Sequence, residues 1–479
     1  MKQAENLIQG NIPLQHRDDK KDMGSTRANN ARSTAPKVLL TDTNRWALAA
    51  RLAIALSETG CDVAAICPAP SHALMKTRAV RRVFRYSAYR PIESLGTAIE
   101  EFAPDVIVPA CDRSVEHLHE LYAQNKSRGE KGRKIAALIE RSLGAPASHA
   151  VVSSRHDLLA VAREEGVRVP NTNLVSSVED LKRWQAQEPF PWVIKADGTW
   201  GGVGVRVVKS EDEIQRSWEE LSKISRLTRA LKRLAVNRDP FLLRSWWNHL
   251  ERRVVAQSYI AGRPANCTVF AWEGEVLALI GVDVIRSDGA TGPANIVRVV
   301  ENEEMKFAAE KIASRLGLSG FFGLDFMIER GSQAAYLVEM NPRLTPPCHL
   351  RLGKGRDLVG AFSARLTGQA IADYPAVTQN DIIAYQSHSP ELIGDAYPNC
   401  FHDFPHGDRE LAMELLNPFP DRTILFRLVQ YFTRKPVVEG VFEMPKGASP
   451  GTLTDCSTVG DAIAGNIATP IEKIRVRPS

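Results

Sequence analysis

The chain has 479 residues, 44% of them apolar and 24% charged. This is ordinary globular usage, which excludes a wholly disordered, collagen-like or low-complexity protein, and the length leads to an expectation of about three domains at roughly 150 residues each. Sixty-one basic residues against 56 acidic ones give a net charge of +5, too mild by itself to argue for a nucleic-acid partner. Residues 1–36 are polar and charged, contain DDKKD and STRANNARST, and show no sustained period. They read as a flexible tail.

At residue 37 the texture changes. KVLLTD is a short strand, and Arg45 to Thr59 is rich in Ala and Leu at helical spacing and stops at Gly60. CDVAAIC is a second strand. DVIVPA (105–110) is a third, followed by the helical SVEHLHELYAQ. Strands alternating with helices predict a parallel α/β sheet over 37–145. The turn TDTNRW lacks GxGxxG, so a dinucleotide site is not expected. Ligands of such sheets sit at the C-terminal strand ends, where Asp112 falls. Capping of the next helix is the preferred role for it. Residues 151–189 then read as helix, strand, helix.

PWVIKADGTWGGVGVRVVKS (191–210) follows, with WVIK and VGVRVV as strands. The loop DGTWGGVG that joins them holds four glycines in the seven residues 198–204. A Walker or dinucleotide loop runs into a helix, whereas this one is the tip of a hairpin. Glycines there let backbone N–H groups close over an anion. Lys195 can place a point charge on phosphate. Taken alone, such a hairpin is matched evenly by an ordinary turn.

GFFGLDFMIERGSQAAYLVEMNPR (320–343) holds a second hairpin, turning at ERGSQA near residue 332. Asp325 and Glu339 are then expected to face each other. Glu339 and Asn341, two apart, share a strand face. Three hard oxygen ligands suit Mg2+ bridging phosphates, not zinc or copper. The competing reading is a buried salt bridge from Glu339 to Arg343, disfavoured because the lysine and glycine hairpin lies upstream in the right order.

Together these segments resemble the ATP-grasp superfamily, and in particular one ATP-grasp module of the carbamoyl-phosphate synthase large chain. IKADGTWGGVGV is similar to that family's phosphate-binding flap, and LDFMIE…LVEMNPRL to its metal-binding hairpin. The resemblance covers about 37–375. It implies an α/β protein: a Rossmann-like pre-ATP-grasp domain (37–145), an ATP-grasp domain (146–375) and a C-terminal extension (376–479) of no assigned role. Position by position, it implies that Lys195 and Arg155 contact the ATP phosphates. It places Gly201 and Gly202 in the flap over them. It makes Asp325, Glu339 and Asn341 the ligands of Mg2+ or Mn2+, and sets Arg343 beside the transferred phosphoryl or acyl phosphate. AQSYIAGRP (256–264) looks like the adenine-binding linker, with backbone contacts from Ser258 and Ile260. The chain departs from the family where an acidic residue often holds the ribose: it has Gln257, Ser258, Pro264 and Ala265.

The implied activity is an ATP-dependent, ADP-forming ligase joining a small-molecule carboxylate to an amine, amino acids among the candidates. The alternatives are carboxylation through carboxyphosphate and a nucleotide-binding regulatory protein without turnover. With one grasp module and no glutaminase-like segment, carbamoyl phosphate synthesis itself is not expected. From Leu221 to Arg253, nine basic residues stand against two acidic ones. A solvated helical face is preferred there over contact with an acidic membrane surface. Arg286, His349 and Arg351 are candidate substrate contacts, each equally explained as surface. The resemblance weakly favours a dimer. Seven scattered cysteines without CxxC spacing fit free thiols in a reducing cytoplasm, not disulfides or zinc. Neither an apolar run of ~18 residues nor a secretory signal is read.

Overall fold

Short apolar strands separated by Ala- and Leu-rich helices open the described part of the chain. The structure, a computed structural model, describes residues 35–44, 47–68, 72–197, 204–222, 253–287, 292–371, 381–385, 400–405 and 407–416. All belong to the first of two units, residues 1–441. The tail 1–34, Gly201 and Gly202, the insertion between 223 and 252, and most of the extension beyond 371 lie outside the described residues.

The first layer comprises β1 (Lys37–Thr41), α1 (Leu48–Glu58), β2 (Asp62–Cys67), β3 (Arg82–Arg85), α2 (Pro91–Phe102), β4 (Val106–Pro109), α3 (Asp112–Asn125) and α4 (Gly129–Leu143). Its four strands are parallel, in the order β3-β2-β1-β4. The chain reverses its direction of winding at β1, so a crevice forms between the ends of β1 and β4. β3, with the sequence RVFR, is largely exposed, and its charges suit an edge strand.

Next come α5 (His149–Val152), α6 (Arg155–Glu164), β5 (Thr172–Val175), α7 (Val178–Gln185), β6 (Trp192–Ala196), β7 (Val205–Val208), α8 (Asp212–Ser222) and β8 (Val254–Ser258). The strands form a small antiparallel sheet, β5-β8-β6-β7. Ser177 and Asp180 form a reciprocal capping box that fixes the start of α7. Trp192, Ile194 and Val208 pack with Leu181 of α7 and Ile214 of α8. Strand alternation turns Lys195 to the opposite face from Ile194.

The large sheet is built from β9 (Gly262–Trp272), β10 (Glu275–Ser287), β11 (Ala294–Val300), β12 (Gly320–Glu329) and β13 (Ala335–Asn341), with α9 (Glu303–Leu316) and α10 (Leu358–Thr367) packed on it. It continues through β14 (Ile382–Tyr385) and β15 (Phe401–Asp403) before α11 (Arg409–Leu416). The order is β13-β12-β9-β10-β11-β14-β15. Two strands of this sheet thus lie beyond residue 375, the boundary expected from sequence, because β11 still has an open edge there and β14 pairs with it. One face buries Leu324, Phe326 and Leu337 against α9 and α6. Part of the other face shares a core with the first layer, where Phe270 and Val282 meet Leu40 and Leu52. Phe270 packs among Trp272, Phe321 and Phe362. Truncating an aromatic in such a seam costs about 3–5 kcal/mol. On the same face Asp325, Glu339 and Asn341 are only partly buried.

Candidate active site

The carboxylate hairpin is set by a single irregularity. Near the turn, Ile328 pairs with Ala335 and Phe326 with Leu337, yet Asp325 pairs with Glu339. Val338 is the extra residue of a β-bulge. Leu337 points into the core against α9. Regular alternation would send Glu339 to the same buried face. The bulge reverses the phase, so Asp325, Glu339 and Asn341 share the cleft face. Gly323 pairs with Asn341 and is required there: a Cβ would meet the Thr345 side chain at 2.6 Å.

Arg155 opens α6, immediately after Ser154, whose hydroxyl caps the helix by accepting from the Asp157 N–H. Its buried guanidinium joins both lobes. Nη1 donates to Asp197 Oδ1 at 2.8 Å and Nη2 to Glu339 Oε1 at 2.7 Å. The salt bridge weighed from sequence therefore exists, with Arg155 rather than Arg343 as the partner of Glu339. Lys195 lies in the same field. Burial and the neighbouring Arg155 push its ammonium pKa down to about 8, against the pull of Glu339 and Asp325. Burial and Glu339 push Asp325 up to about 6, although Asn341, Arg343 and Lys195 oppose the shift. Asp197 is also raised, because burial outweighs its contact with Arg155.

Arg343 is held by the hairpin end and by the first layer. Its Nη2 donates to Asn341 Oδ1 at 3.0 Å, its Nη1 to the Leu344 carbonyl at 3.0 Å, and its Nε to Asp112 Oδ2 at 3.0 Å. Asp112 does not cap α3. Cys111 occupies the N-cap, and the Asp112 carboxylate turns to Arg343 instead, because a guanidinium is a stronger partner than a backbone amide. The crevice of the first sheet thereby opens onto the hairpin.

The linker is Tyr259 to Ala261, between β8 and β9. Ser258 spends its N–H on the Asn171 carbonyl at 2.9 Å, so its backbone can offer a ligand only the carbonyl. Its hydroxyl is buried without a hydrogen-bond partner. Gly262 lets β9 start against β12, since a Cβ there would meet the Ile328 carbonyl oxygen at 1.9 Å.

The donor set fits a magnesium ion delivered with phosphates. Among the described residues no three His, Cys, Asp or Glu side chains gather as a metal site. Two carboxylates and an amide are what Mg2+ uses when phosphates supply further ligands. Asn341 Nδ2 donates to Asp325 Oδ2 at 2.9 Å and Asn341 Oδ1 accepts from Arg343 Nη2, so ligation of a metal beside Asp325 through oxygen requires the amide to turn over.

Two candidate contacts have partners away from the carboxylate hairpin. His349 is buried, with its Nε2 2.9 Å from Asp403 Oδ1, and Arg51 also bonds that carboxylate. Arg351 lies 3.9 Å from Glu58 and bridges in backbone to Asp357. Neither faces the carboxylate hairpin through any of these contacts. Arg286 ends β10 beside residues 288–291, which lie outside the described ones. Asp197 is the site residue that sequence reading missed. Its only signal is an acid next to a glycine-rich turn, which any solvated turn also shows.

Residues 154–349 match the family model of the carbamoyl-phosphate synthase L chain, ATP binding domain. The arginine-specific carbamoyl phosphate synthase large chain of Geobacillus stearothermophilus is 24% identical over 53% of this chain and 23% of its own length. The N-terminal section of the large chain from Methanopyrus kandleri is 24% identical over 75% of this chain and 60% of its own. The chain thus spans less than two thirds of either relative. Among solved structures, an N5-carboxyaminoimidazole ribonucleotide synthetase bound to ADP superposes with a TM-score of 0.52 at 14% identity, covering 73% of this chain and 81% of that one. A biotin carboxylase nucleotide complex from Campylobacter jejuni gives 0.50 at 17% identity, covering 71% and 72%. Residues 154–349 are therefore similar to the ATP-binding domain of the carbamoyl-phosphate synthase large chain.

Proposed function

We propose that the protein is an ATP-dependent ligase that activates a carboxylate as an acyl phosphate and passes it to an amine. One observation carries this reading. Lys195 and Arg155, far upstream in the chain, meet Asp325 and Glu339 in one cleft, within each other's electrostatic reach. Phosphoryl transfer needs little from a protein beyond positioning and charge neutralisation.

Lys195 and Arg155 hold the nucleotide phosphates. The Ser258 carbonyl and the Ile260 backbone are the contacts for the base. Asp325, Glu339 and Asn341 hold Mg2+, which supplies charge neutralisation between the phosphates. The substrate carboxylate oxygen attacks the γ-phosphorus and ADP leaves. Arg343, fixed by Asp112 and Asn341, lies against the acyl phosphate. The amine then attacks the acyl carbon, phosphate departs with the former carboxylate oxygen, and an amide remains. Exclusion of water protects the acyl phosphate from hydrolysis.

Carboxylation through carboxyphosphate is the second reading. It is favoured by the two structural neighbours, one an N5-carboxyaminoimidazole ribonucleotide synthetase and the other a biotin carboxylase. A nucleotide-binding role without turnover draws support from the absence of an acidic residue beside Ser258. The test is phosphate release from MgATP over paired carboxylates and amines, with and without bicarbonate, and mass spectrometry of the product. Release requiring a carboxylate–amine pair supports the ligase. Strict bicarbonate dependence favours carboxylation, and nucleotide binding with no release under any condition favours the regulatory role.

A further inference from the structure

Arg155 has two demands on one guanidinium. It bonds Asp197 at the end of β6 in the small sheet and Glu339 in β13 of the large sheet. Its own side chain is 7% exposed. The Asp197 side chain is 15% exposed and that of Glu339 33%. The contact to Asp197 is thus the drier one, and the contact to Glu339 is the one solvent can loosen. Arg155 Nε and Asp197 Oδ2 are both buried without a hydrogen-bond partner. The pair therefore has unmet bonding capacity beside the position assigned to the phosphates.

We propose that Arg155, anchored by Asp197, is exchanged between Glu339 and the nucleotide phosphates, so that nucleotide and divalent metal enter the site together. This rests on the nucleotide-site reading above. A divalent ion arriving alone meets a Glu339 already neutralised by Arg155. Phosphates arriving alone meet an Arg155 already neutralised by Glu339. When both arrive, the phosphates take Arg155 and Glu339 is released to the metal. Each ligand removes the competitor of the other, which is a reciprocal coupling between two binding events. Asp197 keeps the guanidinium in place through the exchange, because a free arginine would lose rotamer order on leaving Glu339. Asp197 is thereby a positioning residue contributed by this chain's own sequence.

The exchange makes a counterintuitive prediction. Removing the negative charge of Glu339 strengthens binding of metal-free nucleotide, although it removes a metal ligand. Calorimetry of the full chain with β,γ-imido-ATP in a chelator measures this. Wild type is compared with Glu339→Gln, Asp325→Asn, Arg155→Met and the Arg155→Met/Glu339→Gln double variant, each checked by circular dichroism for folding. Glu339→Gln should bind about tenfold tighter than wild type, and the gain should vanish in the Arg155→Met background. Asp325→Asn, whose parent carboxylate has no bond to Arg155, should gain less than about threefold. Equal gains from both carboxylate variants would mean general repulsion and overturn the exchange, as would a gain that survives without Arg155. Electron paramagnetic resonance of Mn2+ without nucleotide gives a second readout. Arg155→Met should bind Mn2+ about tenfold tighter by freeing Glu339, and unchanged affinity overturns the proposal. If wild type fails to bind the imido analogue even with Mg2+, the nucleotide-site reading falls too. If it binds but shows no coupling, the exchange alone falls.

Discussion

Asp325 stands directly opposite Glu339 in the β12–β13 pair because Val338 bulges out of the ladder beside them. The bulge converts a strand that would bury Glu339 behind the sheet into one that presents it to the cleft. Burial, together with the Glu339 charge across the pair, raises the pKa of Asp325.

Loss of the Glu339 charge should stop turnover without unfolding the chain. Glu339→Gln preserves shape and size, so thermal melting should stay near wild type. ADP formation with MgATP should fall at least about 100-fold, near 2.7 kcal/mol of transition-state stabilisation. Coupled detection of ADP measures it, and retained turnover removes Glu339 from the metal site.

Lys195 makes nucleotide capture pH-dependent. Its ammonium is charged below about 8 and neutral above. The kcat/KM for ATP should therefore fall as pH rises through about 8, since that ratio reports the free enzyme. Lys195→Arg keeps its charge throughout the accessible range, so any activity it retains should lose this alkaline limb. Asp325 supplies an acid limb near 6. Below it the carboxyl is protonated, and Mn2+ binding in the presence of nucleotide should weaken.

Asp112 reaches Arg343 from the first layer with a half-exposed carboxylate. A solvent-screened pair of this kind contributes about 0–1 kcal/mol to stability. Asp112→Asn should barely move the melting temperature. It should lower kcat more than it raises KM for ATP, because it frees the guanidinium beside the acyl phosphate and leaves the nucleotide contacts intact. Steady-state kinetics in both substrates separates the two effects.

Asp403 holds β15 to the rest of the molecule through His349 and Arg51. Burial alone would raise its pKa, but the contacts with His349 and Arg51 outweigh burial and hold it well below the ordinary carboxylate range. A depressed folded-state pKa gives stability that is present above the unfolded value near 3.9 and drains away as pH falls below it. Asp403→Asn leaves its buried partners unmatched and should cost about 3–5 kcal/mol near neutral pH. Denaturant titration of the wild type and the variant, at neutral pH and again below pH 4, should show the gap narrowing in acid.

The parts of the site legible in the sequence are those with local patterns. The glycine-rich turn and the LVEMNPR strand carry their chemistry within a few residues, but the facing of Asp325 and Glu339 depends on more than the turn, since the register next to the turn would pair Asp325 with Val338. The Val338 bulge is invisible because Val is an ordinary strand residue on either side of a ladder. Asp197 and Asp112 could not be assigned because their partners, Arg155 and Arg343, are 42 and 231 residues away. Strands β9 and β10 are buried on both faces over much of their length, so they lack the alternation that marks half-exposed strands. The last strands, β14 and β15, are too short to stand out, at four and three residues. β14 takes its partner from the edge strand β11, and β15 then pairs with β14.

In the proposed reaction a carboxylate oxygen, and not water, attacks the γ-phosphorus. Once phosphate release has identified an active carboxylate, turnover with that carboxylate labelled with 18O in both oxygens tests the claim directly. One labelled oxygen should appear in the released phosphate for each amide formed, read by mass spectrometry of the phosphate. Label confined to the organic product, with unlabelled phosphate released alongside ADP, would contradict an acyl phosphate at this site.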